Sequence, residues 1–149
     1  MEPVQPVALR LFECDETEWR PVVGFEHTHR VSRCGKVKVL SRRVSCKNGS
    51  RVITERVLSP TVNTQGYAYC RFQVDNRAKS MYVHRMVADA FCHKPEACES
   101  RLVVNHIDHD KLNNEASNLE WVSDSENARK RWVHYGEQCT WQQRRLFSP

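Results

Sequence analysis

Between Tyr67 and Phe91 the apolar residues change their period, and that change splits the chain into a β-rich part and a mixed part. From Tyr67 to Val74 the alternation is two-fold, with Tyr67, Tyr69, Arg71 and Gln73 on one side and Ala68, Cys70, Phe72 and Val74 on the other. Such alternation predicts a strand with one buried face. From Val83 the repeat becomes helical: Val83, Met86, Val87, Ala90 and Phe91 form an apolar stripe, and the helix must end before Pro95. Upstream, Val37–Leu40 and Arg51–Leu58 read as further antiparallel strands, with Lys47-Asn48-Gly49-Ser50 and Asp75–Arg77 as turns. The first seventeen residues, with two prolines among the first thirteen, are expected to form a loose arm.

The β-rich part is also where positive charge gathers. Nine basic residues (Arg30, Arg33, Lys36, Lys38, Arg42, Arg43, Lys47, Arg51 and Arg56) face one acid, Glu55, within Arg30–Leu58, so a chain of net charge +5 is −3 outside that stretch. A patch of this density attracts a polyanion, because each phosphate it neutralises releases condensed counterions. Nucleic acid is the expected partner, held on a basic hairpin, since a two-stranded ribbon can enter a DNA major groove. With 149 residues the chain suits one domain or two small modules sharing a modest core, and nothing in it approaches the ~18 apolar residues of a membrane span. The N-terminus lacks the pattern of a secretory signal, and seven cysteines without regular spacing fit reduced thiols, so a cytoplasmic location is expected. Cys92, His93 and Cys98 lack the C-x-x-C pair that would argue for zinc.

Downstream of the helix a strand is expected at Arg101–Ile107, then a polar loop at Asp108–Asn118, a strand at Leu119–Val122 and a second helix. Ser123 followed by Glu126 is a capping-box signature, which starts that helix and carries it to about Tyr135, before Gly136. Trp121 is expected in the core. The resulting ββα unit holds Asn105, His106, Asn118 and Asn127. Phosphodiester hydrolysis needs a base to deprotonate water and a divalent cation to stabilise charge developing on phosphate. His106 suits the base, because imidazole is largely neutral near pH 7. Asn105 and Asn127 are oxygen donors of the kind that hold Mg²⁺ or Mn²⁺ together with waters and substrate phosphate. Adjacent residues on a strand point to opposite faces, so a kink at the strand end is expected to turn Asn105 and His106 together toward the helix.

The run Val103-Val104-Asn105-His106-Ile107-Asp108-His109-Asp110-Lys111-Leu112-Asn113-Asn114, followed by Ser117-Asn118-Leu119-Glu120-Trp121-Val122 and Glu126-Asn127, resembles the HNH motif of phage and intron-encoded homing endonucleases. Tyr82-Val83-His84-Arg85-Met86-Val87-Ala88-Asp89-Ala90-Phe91 resembles the helix leading into that motif. Glu18-Trp19-Arg20-Pro21-Val22-Val23-Gly24-Phe25-Glu26, with Val31-Ser32 and Gly35-Lys36-Val37, is similar to the NUMOD4-like DNA-binding module often fused to it.

The resemblance implies an α+β protein: an antiparallel β DNA-binding module at residues 18–80, a ββα-metal nuclease domain at 81–136 and a short tail at 137–149. It implies a DNA endonuclease with His106 as general base, Asn105 and Asn127 as metal ligands and Asn118 bracing the loop through backbone hydrogen bonds. Asp or His often stands at the position of Asn105, and the usual Asp-Gly turn reads Asp108-His109 here, which asks a non-glycine residue to take the turn conformation. His109 could instead contact phosphate. Asn113 and Asn114 are read as loop residues. DNA contacts are expected from Arg30, Arg33, Lys36, Lys38, Arg42, Arg43, Lys47 and Arg51 in the β part, and from Arg85, Arg129, Lys130 and Arg131 on the helices. His84 is either a phosphate contact or a buried buffer. One centre in a monomer would nick one strand, and a dimer would be needed to cut both together. The rival readings are a catalytically silent DNA-binding or regulatory protein and an RNA-binding module stacking bases on Tyr67 and Tyr69.

Overall fold

The computed structural model describes residues 18–47, 49–74, 77–96 and 100–134. The expected N-terminal arm and C-terminal tail lie outside these residues. Eleven short strands are described: β1 Trp19–Pro21, β2 His29–Ser32, β3 Val37–Val39, β4 Arg42–Cys46, β5 Gly49–Ile53, β6 Arg56–Leu58, β7 Thr61–Val62, β8 Ala68–Val74, β9 Arg77–Tyr82, β10 Leu102–His106 and β11 Leu119–Ser123. Helix α1 spans Val83–Phe91, and a second helix, α2, runs over residues 124–134. The class is α+β, as the periodicities predicted. All pairings are antiparallel, in sheets ordered β1-β2-β3-β6, β4-β5, β7-β8-β9 and β10-β11.

The strand expected at Arg51–Leu58 is two strands. Thr54 and Glu55 interrupt it, β5 pairs with β4 in a hairpin, and β6 returns to β3. The basic run is therefore divided: Arg42, Arg43, Lys47 and Arg51 ride on the β4–β5 hairpin, whereas Arg30, Arg33, Lys36 and Lys38 belong to β2, β3 and their turn. The turn expected at Asp75–Arg77 falls between β8 and β9, where residues 75 and 76 lie outside those described. On β8 the alternation holds, with Ala68, Cys70 and Phe72 buried and Arg71 and Gln73 exposed.

One core runs through both halves. Val22, Phe25, Val31 and Val37 from the first sheet meet Cys70 and Phe72 of β8, Val83, Met86 and Val87 of α1, and Ala116 and Leu119 beside β11. Helix α1 is the hub, because its Val83–Met86–Val87 stripe packs where the sheets converge; each such side chain contributes roughly 1.5–3 kcal/mol on burial. Trp121 is only half-buried, correcting its assignment to the core: its indole donates to the Ala88 carbonyl at 3.3 Å and Lys94 lies over its ring. As a cross-strand partner of Val104 it packs on the edge of α1, where a wide ring with one polar atom can stay partly wet. Ser123 caps α2 by accepting the Glu126 N–H at 3.2 Å, while the Glu126 carboxylate turns to Lys130.

Two imidazoles are sealed into this core. His29 stacks on Phe72 with ring centroids 4.0 Å apart, and His84 lies among Tyr67, Tyr82 and His106. Burial pushes both down to about 4, helped at His29 by Arg42 and at His84 by His106 and Arg85. The unfolded chain takes up these protons near the ordinary 6.5, so between about 6.5 and 4 it binds more protons than the folded one. Stability is thus full above pH 6.5 and falls on acidification, by about 3 kcal/mol per imidazole once pH reaches the folded value. Urea midpoints measured from pH 7.5 to 4.5 should drop through this window, and His29→Gln should flatten the drop; a pH-independent midpoint would contradict the assignment.

Candidate active site

The β10–β11 ladder sets the geometry. Its register pairs Asn105 with Glu120 and His106 with Leu119, and the Ile107 N–H donates to the Asn118 carbonyl at 2.9 Å immediately beyond. Strand β10 ends at His106, one residue before the expected Ile107, and the expected kink is absent: both residues stay in the ladder. Their side chains therefore leave on opposite faces. Asn105 lies beside Glu120, and His106 points toward Asn114, Tyr67 and His84.

His106 is 5% exposed. Its Nε2 lies 3.3 Å from Oδ1 of Asn114, whose Nδ2 donates to the Leu112 carbonyl at 2.9 Å. With its amide hydrogens committed to Leu112, Asn114 presents an acceptor to His106, so Nε2 carries the proton and donates. Nδ1 is left as the basic nitrogen. Burial holds His106 below its ordinary 6.5, against the opposing pull of Asn114, Asp108 and Asp110. A neutral ring with one unprotonated nitrogen can accept a proton.

The loop after β10 is tied by its own side chains. Asn118 accepts the Asp108 N–H at 3.0 Å and donates to Asp108 Oδ1 at 2.8 Å and to the Asn113 carbonyl at 2.9 Å. The turn His106-Ile107-Asp108-His109 closes through the His109 N–H on the His106 carbonyl at 3.1 Å. His109 sits at φ 64°, the left-handed position that glycine would fill without strain, and its ring stacks on His134 of α2 at 3.9 Å. Two upstream turns brace this loop. The Ala116 N–H donates to the Arg33 carbonyl at 2.9 Å, and Lys111 reaches the Gln65 carbonyl at 2.9 Å.

On the other face, Asn105 Nδ2 donates to Glu120 Oε1 at 2.8 Å, and Lys130 Nζ lies 2.6 Å from the same oxygen. Burial would raise the Glu120 carboxyl, but Lys130 and Asn105 hold it below its usual range, so it is ionised. Asn127 precedes Lys130 by three residues, which places both on one face of α2, and Lys130 shows that this face lies over Asn105 and Glu120. The amide nitrogen of Asn105 is spent on Glu120, and its oxygen is the atom left for a cation. Two amide oxygens suit a hard divalent ion. Among the described residues no group of three or more His, Cys, Asp or Glu side chains could hold a metal. Cys92 points instead at the Ala116 and Leu119 carbonyls, and Cys34, Cys46, Cys70 and Cys92 are free thiols.

The basic residues fall into three groups. Arg42, Lys47, Arg51, Arg56 and Arg71 line an open cleft between the β4–β5 hairpin and the body, and among the described residues no carboxylate lines it. Arg42 Nη1 is buried there without a hydrogen-bond partner; Arg43 is exposed on the same hairpin. By contrast, Lys38 is paired with Glu55 at 2.9 Å and lies over Trp19, Arg33 pairs with Glu18 at 3.6 Å over the Phe91 ring, and Arg30 donates to the Trp19 carbonyl. Lys36 is exposed in the β2–β3 turn. The third group is on the helices: Arg85, Arg129 and Arg131 are exposed, and Lys130 is held by Glu120 and Glu126. His84 is buried, so it serves as packing and not as a phosphate contact, yet its Nδ1 has no partner. Tyr67 is engaged by Tyr82, His84 and Lys111 and offers no free ring for base stacking.

Residues 81–129 match the HNH endonuclease family and residues 18–73 the NUMOD4 motif. The chain carries an HNH endonuclease region preceded by a NUMOD4 motif. Two uncharacterized HNH endonucleases of Acanthamoeba polyphaga mimivirus are 33% and 39% identical to it over 112 and 109 residues, or 75% and 72% of this chain and 29% and 23% of theirs. The DNA endonuclease I-HmuI of Bacillus phage SP01 is 34% identical over 106 residues, covering 71% of this chain and 52% of its own length. This HNH chain thus spans about half or less of the curated relatives it matches. A solved structure reporting DNA binding and cleavage by the HNH homing endonuclease I-HmuI superposes with TM-score 0.62 at 31% identity, over 80% of this chain and 59% of that one.

Sequence reasoning passed over Asn114 and Glu120. Asn114 was one of several loop asparagines, and its contact with His106 depends on the loop's return path; Glu120 could have been found from strand register alone. Gly35 shows how tightly the two modules meet at this point. It sits at φ 83°, and a Cβ there would lie 3.0 Å from Asn114 Cβ. Gly35→Ala is expected to cost about 1–2 kcal/mol through its backbone alone and to displace Asn114. Calorimetry should show the lower melting temperature, and the ¹⁵N shifts of His106 should show loss of the single tautomer; unchanged values for both would contradict the packing.

Proposed function

We propose that this HNH protein hydrolyses phosphodiester bonds in duplex DNA, using His106 as general base and a divalent cation, Mg²⁺ or Mn²⁺, held by Asn105 and Asn127. The observation that carries this reading is the pair of Asn114 hydrogen bonds that protonates His106 Nε2 and leaves Nδ1 basic. The cleavage of DNA reported for I-HmuI, a structural relative at 31% identity, supports the substrate class.

The phosphate lies across the end of β10, because Asn105 and His106 leave that strand on opposite faces and only its end is common to both. His106 Nδ1 accepts a proton from the attacking water, and Asn114 holds the ring as the charge develops. When bound, the cation stabilises negative charge on the phosphate and the leaving oxygen. Asn118 keeps the loop closed through Asp108 and Asn113, so the site is formed before DNA arrives. Duplex DNA is held along the basic cleft by Arg42, Lys47 and Arg51, with Arg43, Arg85, Arg129 and Arg131 reaching further phosphates. One centre in a monomer gives a nick.

Supercoiled plasmid should be converted to the open circle in Mg²⁺ or Mn²⁺ and left intact in EDTA. His106→Ala should lower the rate by about 10²–10⁴-fold while the protein still retards the plasmid in a gel. Retardation without nicking by the unaltered protein would show a silent binder, and preference for single-stranded RNA would show the wrong substrate.

A further inference from the structure

Two neutral amides bring no charge to a divalent cation, yet the strand that presents Asn105 presents a carboxylate beside it. Glu120 is the Cα partner of Asn105 in the β10–β11 ladder, shares its face and accepts its amide hydrogen at 2.8 Å. The site is open to ions, since the Glu120 and Lys130 side chains are 32% and 36% exposed. A cationic group already sits there. Lys130 Nζ lies 2.6 Å from Glu120 Oε1, and both this contact and that of Asn105 fall on Oε1, leaving Oε2 for a ligand of its own. Glu126 lies 3.5 Å from the same ammonium, one helical turn back, so Lys130 has a second carboxylate to rest on if displaced.

We propose that Glu120 ligates the divalent cation alongside Asn105, and that Lys130 occupies its place on the carboxylate until the cation displaces it. The inference rests on the metal-dependent reading above and adds the one negative charge that reading lacks. Hard cations favour carboxylate oxygen, and a carboxylate held by one short contact to a flexible lysine exchanges readily. Displaced Lys130, close to the phosphate path, becomes available to DNA.

The test is Mn²⁺ binding to the full chain without DNA, followed by loss of the free-ion electron paramagnetic resonance signal, for the unaltered protein, Glu120→Gln and Lys130→Met. Gln keeps the acceptor for Asn105, and thermal melting checks that each variant folds. Glu120→Gln should weaken binding roughly tenfold or more. Lys130→Met should tighten it roughly threefold, because a competing positive charge has gone. A structural ion pair would move both variants in the same direction, and that result overturns the proposal. Unchanged binding in Glu120→Gln also overturns it. If the unaltered protein nicks plasmid but binds no Mn²⁺ alone, the preformed site is refuted while the nuclease reading stands; if it does neither, both fall.

Discussion

The register of one two-stranded ladder governs this molecule. Because Asn105 pairs with Glu120 and His106 with Leu119, neighbouring residues send their side chains to opposite faces, and the proposed proton acceptor is separated from the proposed cation ligands by a strand. A slip of one residue would exchange the faces, placing Asn105 under the half-buried tyrosine and buried histidine rings and His106 beside Lys130. Leu119, buried in the core with the α1 residues, makes such a slip costly.

The upstream module does more than carry positive charge. Its turn at Ser32–Lys36 presses on the Asp108–Asn118 loop through the Arg33 carbonyl and the close approach of Gly35 to Asn114. Gln65 receives Lys111 from the far end of the same loop. The hydrophobic core is continuous from Val22 to Leu119, so the first sheet and the β10–β11 ladder pack around one interior.

Much of this was legible in the sequence because it depends on local rules. Two-fold alternation located β8, the helical stripe located α1, and Ser123 marked the start of α2. The left-handed turn at His109 was visible as a residue standing where glycine is easier. What the sequence concealed depends on tertiary placement. The break at Thr54 and Glu55 follows from β6 pairing with β3 instead of continuing its hairpin. The burial of His84 and the ring contacts of Tyr67 follow from α1 meeting β8 and β10, and the quenching of Lys38 and Arg33 from carboxylates far from them along the chain. Asn114 looked like any loop asparagine until the loop folded back over His106.

In the proposed reaction a phosphate and a divalent cation meet at the end of β10, between the Asn105 and His106 faces. Crystals of the protein with uncleaved duplex and Mn²⁺, measured at the manganese absorption edge, would locate both. An anomalous peak is expected within ligand distance of Asn105 and Asn127, with a backbone phosphate beside it and His106 Nδ1 directed at a water near that phosphate. A peak elsewhere, or DNA bound along the cleft with no phosphate at the β10 end, would contradict it.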